Sequence, residues 1–335
     1  HKMSALPIIA ISIGDPNGVG LEIILKTFQD NLLFERCIPV VYACVDFVEK
    51  QQALFHTQVP LGSMKEVPKE GLLNIATIWK ESPEVAFGKQ TTQAGTAAFE
   101  SLQAAATAVK KGQADALVTA PINKAAIKSL DFPFAGHTHY LGALWGGNAL
   151  MLLAHDTLRV ALLTDHIPLH EVTAAITIDV ITQKTKQLGQ TLLNDFGCQI
   201  PKIALLGLNP HAGDQGVIGN EDDTVLKPAV AALKKEGILL SGPFAADGFF
   251  GQKQYKNFDA VLSCYHDQGL VGFKTLAFGK GVNITTGLPF VRTSPDHGTA
   301  FDIAGANAAN PKSLLHAIEL ASTLTTTNPL IKSTT

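Results

Sequence analysis

Cysteine is scarce in this chain. Its four residues, Cys37, Cys44, Cys198 and Cys264, are scattered without any CxxC pair. That spacing argues against a disulfide framework and against a thiolate zinc knuckle, and leaves buried, reduced thiols as the expectation. Charge is sparse too, at 16% of residues, with a formal net charge of -3. No broad electrostatic pull toward nucleic acid or an anionic membrane follows from such a balance, so recognition of an anionic ligand has to be local. No apolar run approaches the ~20 residues of a membrane span. No basic stretch followed by an apolar run and a cleavage site opens the chain, and a cytoplasmic location is expected. Internal repeats, low-complexity tracts and Pro/Ser-rich linkers are missing, so any two domains are closely joined. Neither GxGxxG nor GK[ST] occurs, which weakens any Rossmann or P-loop reading.

What is present is apolar material in quantity, 46% of 335 residues, enough for two domains and too much for disorder. Short β-branched runs alternate with amphipathic segments, the rhythm of a largely parallel sheet. The runs predict strands over 8–13, 39–44, 73–77, 116–119, 149–153, 160–163, 203–208 and 260–264. Helices are expected over 20–28, 91–111, 179–194, 226–235 and 312–321, the last after Asn310-Pro311, a cap and a first-turn proline.

Polar residues recur just beyond the C-terminal ends of these strands. Asp15-Pro16-Asn17-Gly18 follows the first, and Pro121-Ile122-Asn123-Lys124 follows 116–119. Asp165-His166, Asn209-Pro210-His211 and Tyr265-His266-Asp267-Gln268 follow three more. Open α/β sheets bind ligands beyond the carboxyl ends of their strands. His166, His211 and His266 occupy matching topological positions, and three neutral imidazoles with an open position suit a catalytic divalent metal. Any one of them alone reads equally well as a loop histidine bonded to backbone. Gly14 to Gly20 lies between a strand and a helix and reads either as a phosphate cradle or as a tight turn capping the helix. Lys274, Asn283, Arg292 and the segment 293–302 crowd into one stretch. There Lys and Arg suit a phosphate or carboxylate, or are simply solvated charges. In Gly136-His137-Thr138-His139, Thr138 is a candidate N-cap.

The motifs GDPNGVGLE (14–22), TAPINK (119–124), GHT (136–138), LNPHAGDQGVIGNE (208–221), YHDQGL (265–270) and FGKGVNITTGLPFVRTSPDHGTAFDIAG (278–305) together resemble the 4-hydroxythreonine-4-phosphate dehydrogenase family. The resemblance reaches from the first strand nearly to the last helix. It implies an α/β fold like that of isocitrate and isopropylmalate dehydrogenases. That means two α/β/α domains with the active site in the cleft between them, 3–135 with 300–335 forming the first and 136–299 the second, which carries metal and dimer contacts. It implies His166, His211 and His266 as ligands of a divalent metal (zinc, cobalt or magnesium) shared between the subunits of a homodimer. His137, Thr138, Lys274, Asn283 and Arg292 are implied as the substrate-binding set, and Asp247, Asp267 and Lys274 as the catalytic groups. His139 departs from the family's commoner GHTE. His297, Gly298 and Asp302 lie in a segment similar to the adenine-binding loop of isopropylmalate dehydrogenases; Asp302 beside a ribose favours NAD over NADP.

The activity so implied is NAD-dependent oxidation and decarboxylation of a small phosphorylated hydroxy-amino acid in vitamin B6 (pyridoxine) biosynthesis. A paralogous dehydrogenase of a four-carbon sugar-acid phosphate, such as threonate or erythronate phosphate, is the alternative. A non-catalytic phosphometabolite-binding protein is the reading from another class.

Overall fold

The computed structural model describes residues 6–128, 134 and 136–327. The protein is a mixed α/β chain whose strands, among the described residues, are β1 (Ile8–Ser12), β2 (Ile38–Ala43), β3 (Leu61–Met64), β4 (Leu73–Thr77), β5 (Ala116–Thr119), β6 (Leu150–His155), β7 (Leu158–Leu162), β8 (Lys202–Leu206), β9 (Leu239–Phe244), β10 (Ala260–Ser263), β11 (Val282–Thr286) and β12 (Val291–Pro295). The chain divides into two compact units, His1–Ala149 with Leu288–Thr335, and Leu150–Gly287.

In the first unit the strand order is β3-β4-β2-β1-β5-β12, parallel throughout. β2 is buried at every position and β1 at all but its first, as strands of a parallel sheet covered on both faces must be. The long helix Thr92–Lys110 presents an alanine-rich face, with Leu102, Ala105, Ala106 and Val109 packed on Ala10, Val40 and Leu117. Small side chains let it lie close to the sheet. Thr91 caps it, its Oγ1 accepting from Ala94 N, which satisfies one of the four orphan donors of the first turn.

The second unit runs β11-β6-β7-β10-β8-β9. β6 is antiparallel to both its neighbours, whereas β7, β10, β8 and β9 are parallel. A separate core forms here from Leu153, Val160, Leu162, Ala204, Leu206, Phe249, Val261, Leu270 and Phe273. Because those four strands run the same way, the loops that follow them emerge at one edge, and these loops carry His166, His211, Asp247 and His266.

The division differs from the expected boundaries. Residues 136–149 and 288–299, expected with the second domain, pack with the first. The helix His137–Trp145 buries Tyr140, Leu141 and Trp145 in the first core, and β12 pairs with β5. All eight predicted strands form, with ends shifted by up to two residues. β3, β9, β11 and β12 were not expected from the apolar pattern. The four cysteines are free; Cys37, Cys44 and Cys264 are buried and Cys198 is half-buried. Burial pushes the Cys37 thiol up to about 12, as removal from water does to any acid. No described helix is long and apolar enough to cross a membrane.

Candidate functional site

The first unit gathers basic groups around β5 and β12. Arg292 stands opposite Leu117 in the β12–β5 register, and the residue is only 3% exposed. Its Nε and Nη2 both donate to Thr119 Oγ1, at 3.1 and 2.7 Å. Burial pushes its pKa down to about 10. A guanidinium carries five donors in a planar fork, a shape that suits an anionic acceptor. His137 opens the helix His137–Trp145 and is half-buried. Its Nε2 is covered and has no hydrogen-bond partner among the described residues. The imidazole is held well below its usual pKa, first by burial and then by the charges of Arg292 and Lys124. It is therefore neutral at pH 7, able to donate or accept at Nε2. Thr138 lies inside this helix, whose N-cap is Gly136 with no side-chain cap bond; the expected capping role for Thr138 is corrected.

Gly14 to Gly20 resolves toward structure. All seven residues are buried. Gly14 has φ +71°, and a Cβ there would stand 2.3 Å from the Pro121 carbonyl oxygen, so only glycine fits. Asn17 ties the loop to its neighbours, donating to Lys89 O and accepting from Ala86 N, while Val19 N donates to Thr299 O. A wholly buried loop offers no open cradle, and the tight-turn reading holds. Asp15, 1% exposed, accepts from Asn17 N at 2.8 Å, while its Oδ2 has no partner among the described residues. Burial raises its pKa above 3.8, outweighing that backbone bond.

A raised carboxylate pKa means the folded state holds its proton longer than the unfolded chain. Stability is therefore lost as pH climbs from 3.8 through the folded value. Asp15→Asn keeps the acceptor for Asn17 and removes the desolvated charge. Its Tm is expected to exceed the wild type's by a few degrees at pH 8, with the gap closing toward pH 4. Thermal scans across that range check this; a constant gap contradicts it.

His297 and Gly298 are exposed, with His297 Nδ1 against Gly298 O at 2.9 Å. Asp302 is exposed in the turn that follows. All three lie on an open loop beyond β12, near the Val19–Thr299 hydrogen bond.

The second unit carries the histidines. The His166 and His266 rings lie 5.4 Å apart, tilted by 50°. Each sits beside an acidic neighbour. His266 Nδ1 meets Asp267 Oδ1 at 2.7 Å, and Asp165 Oδ2 is 3.9 Å from His166 Nδ1. A carboxylate on one ring nitrogen fixes tautomer and orientation and leaves Nε2 for a ligand. His211 is exposed on the loop after β8. Among the described residues of one chain, no three His, Cys, Asp or Glu side chains converge tightly enough to hold an ion. The chain thus brings two of the three expected imidazoles side by side, and His211 forms no metal-holding group with them among the described residues. Asp247 is exposed in the first turn of the helix Ala246–Gly251, its Oδ1 accepting from Gly248 N. Lys274 is exposed on the helix His266–Ala277. Asn283 on β11 has a covered Oδ1 without a partner among the described residues.

Two residues escaped the sequence reading. Asp222 is fully buried and clamps the His211 loop from the start of the next helical segment; only its place directly after the 208–221 motif could have flagged it. Thr119, the base of the Arg292 contact, stood in the sequence only as the first residue of the TAPINK motif at a strand end, with nothing to single out its role.

A family model described as pyridoxal phosphate biosynthetic protein PdxA matches residues 35–321. A 4-hydroxythreonine-4-phosphate dehydrogenase of Bacteroides thetaiotaomicron is 43% identical over 317 residues, covering 93% of this chain and 87% of that protein. The same-named protein of Sulfurihydrogenibium sp. is 43% identical over 320 residues, covering 93% and 97%. Among solved structures, the 4-hydroxythreonine-4-phosphate dehydrogenase of Klebsiella pneumoniae superposes with a TM-score of 0.84 at 33% identity, over 97% of this chain and 99% of that one.

Proposed function

Because the chain belongs to the pyridoxal phosphate biosynthetic protein PdxA family, a family of dehydrogenases, we propose that it oxidises 4-phosphohydroxy-L-threonine at C3 with NAD. The product is 2-amino-3-oxo-4-phosphooxybutanoate, which loses CO2 to give 3-amino-2-oxopropyl phosphate. The observation that carries this reading is the buried Arg292 acting on a neutral His137 whose Nε2 has no partner among the described residues. A phosphate dianion matches a guanidinium's planar fork, and burial makes each such charge-assisted bond stronger than it would be in water.

The phosphate is anchored by Arg292 with Lys274, and its binding energy orients the reacting carbon. His137, Thr138 and Asn283 hold the substrate's polar groups. The C3 hydroxyl proton passes to a base among Asp247, Asp267 and Lys274, while the C3 hydride goes to the nicotinamide. Asp267, engaged with His266, orients that imidazole. His297, Gly298 and Asp302 receive the adenosine half of NAD, with Asp302 repelling a 2′-phosphate. In the following step the C1–C2 bond breaks, its electron pair moves toward the C3 oxygen, and C2 is then protonated.

His166, His211 and His266 would hold a divalent ion, zinc, cobalt or magnesium, as a set shared between the two subunits of a homodimer. When bound, such an ion supplies Lewis acidity that lowers the substrate hydroxyl's pKa and steadies the negative charge left by CO2.

NADH formation from 4-phosphohydroxy-L-threonine, with and without a chelator, tests the reading. Turnover is expected in the wild type, with loss on chelation and recovery on adding zinc, cobalt or magnesium. His211→Ala is expected to lose metal-dependent turnover and stoichiometric metal uptake while keeping the wild-type circular dichroism spectrum. Wild-type rates in that variant overturn the ligand assignment, and faster turnover of threonate or erythronate phosphate overturns the substrate.

A further inference from the structure

We propose that Lys124 is a further substrate-binding cation, which together with Arg292 selects a dianionic phosphate over an uncharged group. The inference rests on the reading above and adds a residue to it.

Lys124 follows β5 through the short loop that starts at Thr119, the residue bonded to Arg292. Its side chain reaches back to Gly136, the residue before His137. A Cβ built on Gly136 would lie 3.5 Å from Lys124 Cε and 3.8 Å from Nζ. The ammonium therefore stands beside the N-terminal turn that carries His137 and Thr138. A second observation agrees. Burial first of all keeps His137 neutral, and Arg292 and Lys124 both add to this electrostatically, so each cation lies within electrostatic range of the imidazole. Among the described residues no carboxylate pairs with Lys124, and the covered Nε2 of His137 has no partner. Two permanent cations flanking a neutral imidazole repel one another and disfavour a third charge. A doubly charged anion relieves that repulsion, whereas a hydroxyl does not. Arg292 offers a planar fork and Lys124 a point charge on a flexible stem, a division of labour suited to a phosphate's several oxygens. Lys124 is exposed at its residue surface, which lets it meet an incoming anion before Arg292 at depth.

The test compares wild type, Lys124→Gln and Lys124→Arg. The readouts are KM and kcat for 4-phosphohydroxy-L-threonine, kcat/KM for 4-hydroxy-L-threonine, and the competitive inhibition constant of inorganic phosphate. Lys124→Gln is expected to raise KM and the phosphate inhibition constant together by about ten- to a hundredfold, the range for losing one charge-assisted hydrogen bond. The effect falls on KM more than on kcat, and the preference for the phosphorylated over the unphosphorylated substrate falls by a similar factor. Lys124→Arg is expected to restore most of it. An unchanged phosphate inhibition constant in Lys124→Gln overturns the proposal while wild-type turnover leaves the function standing. A loss confined to kcat also overturns it. Absence of turnover and of phosphate inhibition in the wild type removes both the function and this residue's part in it.

Discussion

Replacing Arg292 with methionine is expected to lower kcat/KM for the phosphorylated substrate by about 10²- to 10³-fold, the range for truncating one partner of a buried, hydrogen-bonded charge pair. Folding stability should move little, or upward. The two expectations have one cause. Arg292 is 3% exposed, its pKa is pushed down to about 10 by burial, and its Nε and Nη2 donate to the Thr119 hydroxyl. Burial makes that charge costly to the folded protein, and methionine fills similar volume without it. With the anion bound, that same charge is what the phosphate meets. Activity and stability are thus predicted to separate at one residue. Arg292→Lys should recover little, because an ammonium cannot span Thr119 Oγ1 and a phosphate as a fork does. Steady-state kinetics with thermal denaturation reads both quantities. A variant with near-wild-type KM means that the phosphate sits elsewhere, and a large loss of Tm means that Arg292 is structural.

The same residue shows where the sequence was legible and where it was not. β1 and β2 were readable because strands covered on both faces need uninterrupted apolar runs, and Ile38–Ala43 and Ile8–Ser12 supply them. β11 and β12 were unreadable because their inward positions carry Thr285, Thr286, Arg292, Thr293 and Ser294, all buried polar residues. Residues that serve a ligand or satisfy a neighbour broke the apolar pattern that reveals a strand. The helices at His137 and His266 begin on candidate ligand residues and lack a side-chain N-cap bond, so no capping signal announced them.

The histidines were legible by topology alone. That each follows a strand fixes which edge of the sheet it reaches, and in the second unit the parallel run of β7, β10 and β8 bears this out. Sequence spacing carries no lateral distances. That His166 and His266 lie side by side while His211 does not join them had to come from coordinates. Lys124 was visible as a polar residue beyond a strand end, but its reach to Gly136 depends on how the helix at His137 folds back.

Asp222→Ala is expected to destabilise the protein by about 3–5 kcal/mol, since two half-buried backbone donors and a side-chain amide lose a charged acceptor at once. His211, Ala212, Gly213, Asp214 and Gln215 all have positive φ, from 44° to 82°, a left-handed coil that L-residues adopt at roughly 1–2 kcal/mol each. Four of the five are not glycine, so the surroundings must impose the conformation. Asp222, fully buried, does so from one side. Its Oδ1 accepts from Leu208 N at 2.8 Å, and its Oδ2 from Asn209 N and Nδ2, both at 3.1 Å. Asn209 Nδ2 also donates to Glu221 Oε2 at 2.8 Å. On the other side, a Cβ on Gly213 would fall 3.0 Å from Gly219 O and 3.3 Å from Asp222 Oδ2, so the coil is packed onto its clamp with no room for a side chain. Without the carboxylate, the strained residues have every reason to relax toward right-handed conformations, carrying His211 away from where the strand end delivers it. Asp222→Asn keeps one acceptor oxygen but turns an amide toward donors, and should fall between wild type and alanine. Urea denaturation gives the stability change. Amide hydrogen exchange at Leu208 and Asn209 locates it, because the clamp predicts protected amides in the wild type and exchange at least tenfold faster in Asp222→Ala, about what losing one hydrogen bond allows. Equal protection in the two proteins means that the left-handed coil is held by something other than Asp222.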